Sequence, residues 1–134
     1  SNAMDVGNPS NFVRILEMFN NELPALQNVL SSYSIDDATT AATIKNVYKQ
    51  HNYMLDPHGA VAYFALNEYL QHHTNDKGIF LETAHPVKFP DTVEEATNTQ
   101  IPFPESVQYL QGKEKKSIVM PATFEAFKEW LMKR

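Results

Sequence analysis

A hydroxyl, an imidazole and an ammonium fall within six residues of one another in Thr83-Ala84-His85-Pro86-Val87-Lys88-Phe89. The group follows a short apolar run, Ile79-Phe80-Leu81-Glu82-Thr83, that Pro86 stops. The run predicts a strand with bulky residues on both faces, hence a buried one. The carboxyl end of a buried strand is where α/β proteins place ligands. The functional reading of such a trio is a ligand site. A plain strand end with an incidental polar loop gives the same spacing. The local pattern leaves both readings open.

A second candidate is Asp56-Pro57-His58-Gly59. An N-cap carboxylate with proline at the first helical position is a helix start. If that start faces a cleft, its free N–H groups and His58 suit an anion. Ser10 and Asn11 sit at another predicted helix start, where Ser10 can cap or face a ligand. Five histidines (His51, His58, His72, His73, His85) raise a metal site. None has the i, i+4 spacing and nearby carboxylate of a zinc site, and no metal is expected. No serine lies on a nucleophile elbow, so a Ser/His/Asp triad has no footing.

Composition removes other classes. The chain has 134 residues, 43% hydrophobic and 20% charged, which is one ordinary globular region. Its net charge of −5 argues against nucleic acid as a partner. No apolar run approaches the ~20 residues of a membrane span. With no cysteine there is no disulfide, thiolate zinc site or cysteine nucleophile, and a reducing, cytoplasmic setting is expected. The four glycines are scattered, so the glycine-rich phosphate loops are missing. Ser1-Asn2-Ala3 reads as the scar of a removed tag, and Met4 is then expected to be internal.

The elements that must position these residues are mostly helical. Phe12, Ile15, Leu16 and Phe19 predict a first helix after Ser10. Pro24 starts a second, with Leu26, Val29 and Leu30 inward. Ser34 is expected to open a third, with Asp36 and Asp37 in its first turn and Ile44, Val47, Tyr48 and His51 on one face. The helix from Pro57 to about Leu70 is apolar nearly all round and should be buried on several sides. Pro90-Asp91 starts a short acidic helix around 93–96, and a short helical turn follows near 107–110. Ser117 to Met120 is a possible second strand. Thr123 to Leu131 is a terminal helix turning Phe124, Phe127, Trp130 and Leu131 to the body. The inventory is about six helices and one or two short strands. A lone strand cannot satisfy its own backbone, so either it pairs with a symmetry mate or the rest of its sheet lies on another part of the protein.

Leu55-Asp56-Pro57-His58-Gly59-Ala60-Val61-Ala62-Tyr63, then Phe80-Leu81-Glu82-Thr83-Ala84-His85-Pro86-Val87-Lys88-Phe89, resembles threonine synthase. Met4-Asp5-Val6-Gly7-Asn8-Pro9-Ser10-Asn11-Phe12 resembles a third segment of that family, in the same order. The resemblance runs from Met4 to the C-terminus and corresponds to roughly the last third of a member.

The resemblance implies an α/β parent of pyridoxal-phosphate (PLP) fold type II. Such an enzyme turns O-phospho-L-homoserine and water into L-threonine and phosphate, a lyase step of threonine biosynthesis. This region would belong to the larger cofactor domain, and its partner would be the missing N-terminal, cofactor-binding part of the same chain. The resemblance places Thr83 against the pyridine nitrogen. It leaves His85 and Lys88 to line the site or order the loop, with Ser10, Asn11 and His58 as further site-lining candidates. None of the nine lysines occupies the family's Schiff-base motif, so the piece alone is expected to be inactive and to bind no PLP. It is also expected to self-associate over exposed apolar surface. The rival is a stand-alone helical binding module of the same ancestry. Retention of Thr83, His85 and Lys88 separates the two, because a scaffold has no use for them.

Overall fold

The fold is a computed structural model that describes residues 9–133. The tag remnant and the Met4–Asn8 stretch of the resemblance lie outside the described residues. The chain forms two compact units that divide after Pro102.

The first unit is built on three helices: α3 (Asp37–His51), α4 (Pro57–His72) and α5 (Pro90–Thr97). Two short helices precede them, α1 (Phe12–Met18) and α2 (Leu23–Gln27). A single 3-10 turn, Pro86–Lys88, leads into α5. The helix α3 packs on both α4 and α5. Ile44 and Val47 of α3, Leu55, Ala60 of α4, Val93 of α5 and Ile101 form the buried core. Met54, Tyr63, Phe80, Val87, Phe89 and Ala96 close around it.

Local chemistry explains the boundaries. Asp36 caps α3 by accepting a 2.7 Å hydrogen bond from the Thr39 amide. This corrects the expected start at Ser34, since the carboxylate at Asp36 already meets the free amide. Thr40 and Thr43 are buried in α3, and their hydroxyls donate to the Asp36 and Thr39 carbonyls. Asn52 and Asn98 follow α3 and α5 with φ of 52° and 51°, the left-handed turn that ends a helix. Asp56 caps α4 as its sequence demands, and Pro57 stands in the first turn.

Other expectations need correction. Ser10 does not cap α1: Asn11 holds that place with helical backbone and no side-chain cap bond. Only Leu26 of α2 is buried, because the helix stops at Gln27, before Val29 and Leu30 can turn inward. On the predicted face of α3, His51 is exposed. The apolar α4 buries only Pro57, Gly59 and Ala60 fully, so most of its other apolar side chains are half-exposed in this chain.

No described residue lies in a β-ladder. Residues 79–83 are irregular and alternate strictly, with Phe80 and Glu82 inward and Ile79, Leu81 and Thr83 outward. The Phe80 ring meets Tyr63 edge-on at 5.4 Å. With Ile79 at 90% exposure, this segment is not the buried strand expected. No neighbouring strand lies beside it among the described residues to take its backbone bonds. The stretch 117–120 is likewise not a strand, and Val119 is almost fully exposed.

The second unit holds α6 (Glu105–Gln108) and α7 (Phe124–Met132), for seven α-helices among the described residues. Thr123 caps α7 through the Ala126 amide. Within α7, Phe127 and Trp130 stack at 6.2 Å.

Candidate functional site

The N-terminus of α4 and the segment 82–89 are held together by three contacts. The Asp56 amide donates to Glu82 Oε1 at 2.9 Å. A Cβ on Gly59 would overlap the Glu82 carboxyl, so only glycine admits this approach. The His58 ring lies 5.1 Å from that of Phe89, tilted by 55°.

Asp56 is fully buried. Its Oδ1 accepts from the His58 amide at 2.8 Å and lies 2.8 Å from His58 Nδ1. Burial opposes its ionisation, but the hydrogen bond from Glu82 and those from the His58 amide and ring outweigh it. The Asp56 carboxyl is therefore held below its ordinary range. A carboxylate only accepts, so His58 Nδ1 carries the proton between them.

Glu82 behaves oppositely. Burial pushes its carboxyl up to about 7; the Asp56 amide pulls it down, and the Asp56 carboxyl raises it further. Asp56 Oδ2 and Glu82 Oε2 are buried and receive no hydrogen bond from any other group. Each carboxyl thus keeps one buried oxygen without a donor, and the two residues are joined through the Asp56 amide. One proton between them satisfies both orphaned oxygens.

The start of α4, a helix start by its sequence, thus holds the chain's own carboxyls. The His58 amide is spent on Asp56, and the Glu82 side chain covers the first turn. Thr83, His85 and Lys88 follow Glu82 on the outside, all three exposed. His85 Nδ1 accepts from the Val87 amide at 3.1 Å and caps the 3-10 turn. The neutral ring then presents its Nε2–H outward. The Thr83 hydroxyl and the Lys88 ammonium make no hydrogen bond within the described residues. Ser10 and Asn11 precede α1, and no hydrogen bond or ring contact joins them to segment 82–89 among the described residues. No three His, Asp or Glu side chains among the described residues gather around a point that suits a metal ion.

Sequence reasoning missed the Asp56–Glu82 pair. Two signals marked it: one charge in an otherwise apolar run, in register with the inward Phe80, and a glycine in the first turn of a helix.

The family described as "Threonine synthase, C-terminal" matches residues 59–131, which include this segment. The chain belongs to the threonine synthase family. The threonine synthase of Serratia marcescens is 35% identical over 132 residues, covering 98% of this chain. That of Escherichia coli (strain K12) is 36% identical over the same coverage. The chain spans 30% of the length of each of these two relatives. The crystal structure of the Escherichia coli threonine synthase matches with a TM-score of 0.82 at 35% identity, over 99% of this chain and 30% of that one. The PLP-bound threonine synthase of Brucella melitensis matches with a TM-score of 0.65 at 24% identity, over 96% of this chain and 32% of that one, and bears on the fold alone. The fold is therefore that of the C-terminal part of threonine synthases, mainly helical here. No helix among the described residues is long and apolar enough to cross a membrane.

Proposed function

We propose that this chain serves as the C-terminal part of a PLP-dependent threonine synthase that converts O-phospho-L-homoserine and water to L-threonine and phosphate. The observation that supports it is the family match over residues 59–131, which takes in the carboxyl-clamped segment and its outward Thr83. In this reading the chain is one region of the larger cofactor domain, and its partner is the N-terminal part of the same enzyme. Alone it is inactive, and its setting is the cytoplasm.

The outward side chains fit the cofactor in chemical type. PLP, when bound, supplies an electron sink. Thr83 offers a free hydroxyl to the pyridine nitrogen, and a hydroxyl, unlike a carboxylate, does not force that nitrogen to be protonated. His85 presents an Nε2–H donor on the same segment, fixed by the bond between its other nitrogen and the Val87 amide. Lys88 offers a positive charge suited to a phosphate. Ser10, Asn11 and His58 are proposed to border the substrate region. Glu82 and Phe89 hold the segment on α4, which limits the freedom of the groups between them.

The test is a chimera in which this chain replaces the matching C-terminal part of the Escherichia coli enzyme. Phosphate release from O-phospho-L-homoserine is the expected result. Thr83→Val in the chimera should weaken turnover and shift the PLP absorbance. A chimera that folds and binds PLP but releases no phosphate would sink the reading.

A further inference from the structure

Nothing in the proposed chemistry uses the buried carboxyl pair beside Thr83. Its geometry is nonetheless demanding. Glu82 directly precedes Thr83 and is one of two inward side chains between Ile79 and Thr83. One Glu82 oxygen takes the Asp56 amide, and the other is buried with no donor except the Asp56 carboxyl. Gly59 leaves room for the carboxyl and nothing more. Because side chains alternate along an extended segment, fixing Glu82 inward sets Thr83 outward.

We propose that Glu82 is a positioning residue for the Thr83 hydroxyl: it shares one proton with the Asp56 carboxylate, and that bond locks segment 82–89 onto the N-terminus of α4. The proposal rests on the reading of Thr83 as a cofactor contact. With the proton present, both orphaned oxygens are satisfied. With it lost, two buried anions face each other and the segment is pushed off the helix. The groups acting on Glu82 are Asp56, at the mouth of α4, and through it His58 on α4. Gly59 brings no charge, and no cation pairs with Glu82 among the described residues. The shared proton is the device that couples the helix start to the site segment, and its titration belongs to the pair rather than to either carboxyl.

The experiment is a carbon-detected NMR titration of this chain, following the Glu82 side-chain carboxyl and the Thr83–Phe89 amides from about pH 5 to about pH 9. The expected result is a Glu82 transition near 7, with the Thr83 and Ala84 amides moving on the same curve, while the Val87 amide, bonded to His85 Nδ1, is left out of the comparison. Glu82→Gln keeps a donor in place of the proton and should hold those amides at their acid-side positions throughout. Glu82→Ala should speed amide exchange of segment 83–89 at every pH. A Glu82 carboxyl titrating near its ordinary value, or amides indifferent to it, overturns the proposal. So does an alanine variant that matches wild type in acid. The titration needs no cofactor, so its failure leaves the chimera result standing, and an inactive chimera leaves the carboxyl clamp standing.

Discussion

Glu82 reaches back across 26 residues of sequence to accept the Asp56 amide at 2.9 Å, and its carboxyl rests against Gly59. A single side chain therefore joins the start of α4 to the segment that carries Thr83, His85 and Lys88. The stability of that junction depends on its protonation state.

The pH dependence has a definite sign. The folded-state value for Glu82 lies above its ordinary 4.5, at about 7. Its bound proton therefore stabilises the fold fully below the ordinary value, and this contribution is lost as pH rises through about 7. Asp56 is shifted down, so its contribution is present above 3.8 and is lost as pH falls through its lowered value. Thermal unfolding should show a Tm that falls from about pH 5 to about pH 8. Glu82→Gln should flatten that slope. An unchanged slope in the variant would assign the dependence to other groups.

Gly59→Ala offers a test with opposed effects. Alanine in a helix normally gains about 1 kcal/mol over glycine. Here the added methyl meets the Glu82 carboxyl. Overpacking and a strained buried hydrogen bond cost roughly 2–4 kcal/mol together. The net should be a loss, read as a Tm lower by several degrees. Combined with Glu82→Ala, the same alanine should become harmless or stabilising. Additive losses in the double variant would show that the two residues do not meet.

Core and edge should separate cleanly. Ile44 is fully buried between α3 and its neighbours, and truncation to alanine should cost about 2–5 kcal/mol in denaturant unfolding. Ile79 is 90% exposed, and Ile79→Ser should stay within about 0.5 kcal/mol. A large effect at Ile79 in the isolated chain would mean that its outer face is covered, by a second copy for instance.

Self-association is the matching solution experiment. Ile79, Leu81 and Val119 expose large apolar side chains. Concentration-dependent oligomers are expected on size-exclusion chromatography, and Ile79→Asp with Leu81→Asp should reduce them. A monodisperse monomer at high concentration contradicts the idea.

Helix starts were readable because a cap is a local event. Asp56-Pro57 and the Pro90 start needed only adjacent residues, and both stand where the sequence puts them. Ser34 was misread because Asp36 competes for the same free amides and is closer to Thr39. The strand at 79–83 failed for another reason: alternation is local, but a ladder needs a second strand. The burial expected for α4 failed likewise, since an apolar helix announces its appetite for contact and not the presence of a partner.

The sequence by itself determined the family, through three ordered segments, and it singled out Thr83, His85 and Lys88 as candidates. It also determined the Asp56 cap of α4 and the inward Ile44 and Val47 of α3, because these depend on neighbours a turn away. Only the tertiary structure decided what fills the start of α4. The partner of Asp56 is Glu82, and two carboxyls give no sign in sequence that they will meet. Their pairing exists because Gly59 leaves a gap, Phe80 sets the register, and burial makes one shared proton more favourable than two separate charges.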